Sequence, residues 1–211
     1  MSSRSKLLIR SSIGSITNNN SKGIEMDLKE LQEAAASCTS CELHEGRVNP
    51  VFAKGDPSSS IMVCGMVPAK EENKVGLPFV GRAGKLLDDI LLDVSIPEGS
   101  VYITNLVKCF LAAGLPLKQD WIDNCLPYLI LQIDWLRPKI IITLGKDASL
   151  TLLGMPDRPL GQIRGRVFDV NQRIKVIPTY HPSYLLRSGG KNSKQYDIVI
   201  KDFTLAKDLA C

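Results

Sequence analysis

Lys139-Ile140-Ile141-Ile142-Thr143-Leu144-Gly145 is the stretch on which the fold turns. It is a short, almost wholly apolar run between Pro138 and a glycine, followed at once by a helical segment, Lys146 to Leu153. A strand with no polar alternation must be covered on both faces, as in a parallel sheet flanked by helices. Upstream, Asp120 to Leu136 reads as a helix stopped by Pro138. Ser60-Ile61-Met62-Val63-Cys64-Gly65 and Val101-Tyr102-Ile103-Thr104-Asn105 repeat the buried-strand pattern, and Leu86, Leu87, Ile90 and Leu91 place a helix over Ala83–Val94 between them. Further strands are expected at Arg166–Val170 and Ile174–Pro178, with helices at Met26–Ala36 and Asp197–Leu209. The alternation predicts an α/β chain: a three-layer α/β/α sandwich with a central, mainly parallel four-stranded sheet. Ligands of such folds sit at the carboxyl ends of the strands. Here those ends are Gly65, Asn105 and the segment Tyr180-His181.

At 211 residues and 44% hydrophobic content the chain suits one domain with a proper core, expected over residues 25–211. Residues 1–24 are rich in Ser and Asn, carry Arg4, Lys6, Arg10 and Lys22 and no acid, and read as a flexible basic tail. Organelle targeting by this tail is the lesser reading, behind a simple disordered arm. The tail accounts for the whole net charge of +4, so any nucleic-acid surface must be a local patch. The candidate runs from Arg158 to Lys194, where eight bases face the single acid Asp169. No run is long enough to cross a membrane, and a reducing, intracellular compartment is expected.

Six cysteines are too few for a disulfide scaffold in a chain of this size. Cys38 and Cys41 are separated by two residues and Cys109 and Cys125 by fifteen. A Cys-x2-Cys loop delivers two thiolates to one centre, and a distant pair completes the shell. Zinc ribbons usually repeat the short spacing, so a 4Fe–4S cluster suits the uneven pattern at least as well as zinc. Two disulfides, or ordinary buried thiols, are the remaining alternatives.

Four other residues stand out by position. Phe79, between Pro78 and Val80, is either a stacking platform for a flat ring or a core aromatic. Asn105 ends a strand and offers a planar donor–acceptor edge, or else caps a turn. His181, fixed by Pro182, could donate to a developing anion. Leu185-Leu186-Arg187 reads as an apolar wedge beside a phosphate-binding cation, or as a short helix with both leucines packed inward.

These pieces, in this order, resemble the family 4 (iron–sulfur) uracil-DNA glycosylases. The matching segments are Cys38–Arg47, Gly76–Leu87, Val101–Cys109, Cys125, Lys139–Gly145 and His181–Arg187, and the likeness runs from about Leu31 to Asp208. It implies hydrolysis of the N-glycosidic bond of uracil in DNA, with flipping of the base. Cys38, Cys41, Cys109 and Cys125 would hold a structural 4Fe–4S cluster. Phe79 would stack on uracil, Asn105 would read its edge, and His181 would donate to O2. Leu185, Leu186 and Arg187 would enter or brace the duplex. Two departures mark this chain. Where the family reads Gly-Glu-(Ala or Gly)-Pro-Gly, Gly65-Met66-Val67-Pro68-Ala69 stands; Met66 removes the acid, while Val67 and Ala69 reshape the pocket floor. Glu72 lies where the family also carries an acid and is the remaining candidate for activating water. After Cys109 the family's basic loop is replaced by an apolar one, residues 110–117, that would suit a protein partner. The altered first motif leaves one alternative: a weak or inactive glycosylase-fold subunit that binds DNA or a partner in a replication or repair assembly.

Overall fold

The computed structural model describes residues 27–97 and 99–210, so the basic tail read at 1–24 lies outside the described residues. The run that opened the sequence reading is the strand β4 (Ile140–Leu144), buried along its whole length. Its parallel neighbours are β2 (Ile61–Gly65) on one side and β6 (Lys175–Thr179) on the other, and β3 (Tyr102–Asn105) follows β2, also parallel. The core of the sheet is therefore the expected set of four parallel strands. Two short antiparallel edges are added: β1 (Ala53–Gly55) beside β3 and β5 (Phe168–Asp169) beside β6, giving the order β1-β3-β2-β4-β6-β5. The expected strand over 166–170 thus shrinks to two residues.

Strand periodicity builds the other two layers. Ile141, Met62, Tyr102 and Val176 point to one face. There they meet α4 (Gln119–Leu136) and α5 (Lys146–Leu153), which carry Leu129, Ile133 and Leu152. Ile140, Ile142, Val63 and Ile177 point to the other face, against α3 (Arg82–Asp93), α6 (Pro182–Arg187) and α7 (Lys194–Ala210). Each fully buried isoleucine contributes about 1.5–3 kcal/mol, so the two faces of β4 alone anchor the sandwich. Among the described residues no helix is long and apolar enough to cross a membrane.

The first helix, α1 (Leu28–Ser37), begins at a capping box in which Asp27 accepts from Glu30 N and Glu30 accepts from Asp27 N. It buries Leu31 and Ala35 against Phe52 and Tyr128, and the Tyr128 hydroxyl donates to Ala34 O. This docking carries the first cysteine pair to α4.

Register lines up the strand ends. Gly65 pairs with Asn105 across β2–β3, and Leu144 pairs with Thr179 across β4–β6. The chain leaves these ends into α2 (Lys70–Val75), into the loop that bears Cys109, and into His181.

Candidate functional site

The row of carboxyl ends gathers Phe79 and Asn105 over Gly65, with His181 beside them, stacked on Phe79 and close to Gly145. The absence of a side chain at Gly65 makes the gathering feasible. A Cβ there would lie 2.3 Å from Asn105 Oδ1 and 2.6 Å from Phe79 Cζ.

Phe79 is held in a conformation it would not choose. Its φ is +53°, a left-handed value that costs a non-glycine residue about 1–2 kcal/mol. Three contacts impose it. The Glu72 carboxylate accepts from Val80 N at 3.1 Å and from Gly81 N at 3.0 Å. Lys54 Nζ donates to Phe79 O at 3.0 Å. Gly84 leaves room for that carbonyl, since a Cβ there would come within 1.9 Å of it. The ring is buried as the core reading requires, and it also faces the site: it stacks on His181 with centroids 5.8 Å apart and planes at 30°. The burial matches the core reading of Phe79, and the contact with His181 places the ring beside the candidate site.

Asn105 is 2% exposed, and among the described residues its side-chain amide makes no hydrogen bond. The amide keeps the little exposure the residue has, which leaves its donors and acceptor open to a ligand.

His181 caps α6, with Nδ1 accepting from Ser183 N at 3.1 Å. That bond leaves the proton on Nε2. Burial, reinforced by the Arg187 charge and opposed by Glu72, lowers its pKa to about 4, so the imidazole is neutral at physiological pH. The site therefore offers a neutral N–H donor of fixed direction.

Other residues move away from the roles the sequence assigned them. Glu72 is buried and its oxygens also accept from Ala69 N at 3.1 Å, so three backbone amides occupy the carboxylate proposed to activate water. Its position makes it an organiser of the Phe79 loop. Leu185 is fully buried on the face of α6 that packs on α3, so it belongs to the core and presents nothing to a duplex. Leu186 is half-buried and Arg187 exposed, with Tyr184 beside them at the surface. Met66 and Val67 are half-buried, and Ala69 is exposed at the start of α2.

The basic patch is thinner than the sequence promised. Asp202 of α7 pairs with Arg164, Asp89 and Asp93 of α3 pair with Lys191, and Asp169 pairs with Lys175. Arg166, Arg173, Arg187 and Lys194 are exposed.

A second centre lies beyond β3. Cys38, Cys41, Cys109 and Cys125 line one cavity together with His44, Lys108 and Tyr128. The cysteines among the described residues are all free, which sets aside the disulfide alternative for these four. Donors reach two of the sulfurs. Lys108 N donates to Cys125 Sγ at 3.2 Å, and Arg47 reaches Cys109 Sγ at 3.6 Å. Burial pushes the Cys125 thiol up to about 11 and raises Cys109, with Lys108 and Arg47 working the other way. At Cys38, hydrogen bonds from Ser40 and Tyr128 outweigh burial and lower the pKa. Among the described residues no three His, Cys, Asp or Glu side chains converge on a point as a single ion requires.

The two centres adjoin through backbone that sequence spacing does not reveal. Leu106 N donates to Gly65 O, Val107 N to Met66 O and Leu111 N to Pro68 O, lacing the altered loop to the segment that bears Cys109. In loop 110–117, Leu111 is buried while Leu115 and Pro116 are exposed.

A family model described as the uracil DNA glycosylase superfamily matches residues 52–204. The chain is 36% identical over 168 residues to the type-4 uracil-DNA glycosylase of Pyrobaculum aerophilum, covering 77% of this chain and 86% of that one. It is 36% identical over 177 residues to the enzyme of the same description in Thermotoga maritima, covering 84% and 91%. A third, from Sulfurisphaera tokodaii, is 35% identical over 190 residues, covering 87% and 84%.

Proposed function

The chain belongs to the uracil-DNA glycosylase superfamily, within its type-4 branch, and from its site we propose how it removes uracil from DNA. The reaction is hydrolysis of an N-glycosidic bond, leaving an abasic site for repair. The observation that carries the reading is the meeting of Phe79 and the unpartnered amide of Asn105 over Gly65, with the neutral His181 stacked on Phe79.

The base must leave the duplex to reach this depth. Phe79 gives it an aromatic face, and Asn105 a donor–acceptor edge to match the polar edge of uracil. As the C1′–N1 bond breaks, its electron pair passes to the base, and charge gathers on the uracil oxygens. His181 Nε2–H donates to O2, where that charge builds. Its Nδ1 bond to Ser183 N holds the direction before the reaction starts. One such preorganised donor is worth about 10²–10³ in rate. The sugar becomes oxocarbenium-like, water adds at C1′, and its proton is lost to solvent. With Met66 at the acid position and Glu72 bound to three amides, catalysis rests on stabilising the leaving base, not on a strong base for water.

Cys38, Cys41, Cys109 and Cys125 would hold a 4Fe–4S cluster, whose contribution is to cross-link α1, the β3 loop and α4. Brown protein with about four irons per chain supports this, and stoichiometric zinc contradicts it. The exposed Arg187 and half-buried Leu186 would meet the DNA beside the extruded base. The exposed Leu115 and Pro116 are the surface a protein partner would use.

The test is direct. Purified protein is incubated with a uracil-containing oligonucleotide, and abasic sites are then cleaved with alkali. Strand cleavage that depends on uracil is expected; none at enzyme excess, with DNA still bound, would refute the activity.

A further inference from the structure

Lys108 is a fully buried lysine without a carboxylate. Its Nζ donates to Thr104 Oγ1 at 2.7 Å, to Asn105 O at 2.6 Å and to Gln132 Oε1 at 2.7 Å. All three acceptors are neutral, and among the described residues no acid forms an ion pair with it. The acceptors are themselves fixed. Thr104 Oγ1 donates to Phe52 O, and Gln132 Nε2 donates to the Tyr102 hydroxyl. A buried ammonium with no counter-charge is strongly unfavourable, and a negative charge close by would stabilise it. The groups that can become anionic nearby are sulfurs. Lys108 lines the cysteine cavity, and its backbone N–H donates to Cys125 Sγ.

The opposite end of the same short segment is the base pocket. The carbonyl that Lys108 grips is that of Asn105, whose side-chain amide has no other partner and whose Oδ1 clears Gly65 narrowly. A turn of the 105–106 peptide would swing that amide out of register with a base.

We propose that Lys108 is a positioning residue that couples the cysteine centre to base recognition: its ammonium balances the thiolates on one side and fixes Asn105 on the other. The inference rests on the reading above, in which the cysteines hold a cluster and Asn105 reads uracil. When the centre is filled, the thiolates retain the ammonium, and the ammonium retains the Asn105 backbone. The coupling passes through the five residues Thr104–Lys108 and requires no movement of a domain.

The test compares full-length, iron-loaded wild type with Lys108→Met, Lys108→Arg and Gln132→Leu. Two quantities are read: the inhibition constant of free uracil, which reports the pocket without chemistry, and the midpoint potential of the centre. Lys108→Met should weaken uracil inhibition about tenfold, the loss of one well-placed hydrogen bond. It should also move the potential to more negative values, because an added electron loses a nearby cation. Lys108→Arg should leave the potential near wild type and still weaken uracil, separating the two halves of the role. Gln132→Leu removes one acceptor, keeps the charge and should shift uracil inhibition in the same direction by a smaller factor. A Lys108→Met protein with wild-type uracil inhibition and potential overturns the proposal. If Lys108→Met does not fold, unchanged uracil inhibition in Gln132→Leu overturns it instead. Wild type without iron, or indifferent to uracil, contradicts the underlying reading and not the Lys108 link.

Discussion

The cysteine centre and the base pocket sit at opposite ends of Thr104–Cys109, yet they are built on opposite principles. The centre is a cavity lined by sulfurs from α1, a short turn, the β3 loop and α4, and donors reach Cys109 and Cys125. Its groups gain partners on folding, and a bound cluster would cross-link four parts of the chain. The pocket does the reverse. It holds Phe79 at a left-handed φ, leaves the Asn105 amide without a protein partner among the described residues, and keeps His181 neutral by burial. Groups left strained or unsatisfied are the mark of a site that waits for a ligand. The difference teaches where to look for activity: the centre reports scaffold and family, and the pocket reports chemistry.

That contrast can be broken most severely at Gly65. Gly65→Ala would drive a Cβ into Asn105 and Phe79, and a misplacement of about 1 Å at such a site costs roughly 10²-fold in rate. Iron content should stay at the wild-type value, because the cysteines lie beyond the clash. Equal loss of iron and activity would show that the two regions are not separable. Leu185→Ala comes next and should behave as a core truncation, costing about 2–5 kcal/mol of stability by denaturant unfolding. If instead stability held and duplex binding fell, Leu185 would be a wedge after all. Glu72→Gln has the smallest effect. Gln can still accept from two of the three amides, so uracil excision should slow by about tenfold through a looser Phe79 loop. Abolished turnover with unchanged uracil inhibition would restore Glu72 as the group that activates water.

Much of this was legible in the sequence where one residue type or one period carries the message. The Ile140–Leu144 run fixed the sheet, the cysteine spacing marked the centre, and strand ends pointed to Asn105 and His181. What stayed hidden depends on partners far along the chain. Strand β1 is three residues long and ends at a glycine of positive φ, too short to show a period. Asp89, Asp93 and Asp202 neutralise bases that looked unopposed in their own stretch. Glu72 reads as a free acid until the amides of Val80 and Gly81 fold back onto it. Lys108 looks like one more surface base until its side chain is followed inward.

The central claim is that a neutral His181 donates to the departing uracil over an intact scaffold. The most direct measurement is the single-turnover rate of uracil release by wild type and His181→Ala between pH 5 and 8. Since His181 titrates at about 4, below its usual 6.5, it stays neutral as pH falls through that window, and the wild-type rate should be flat. His181→Ala, with its iron retained, should be slower by about 10²–10³ throughout. Equal rates for the two proteins, or a wild-type rate that follows a group titrating near 6.5 and missing from the variant, would contradict it.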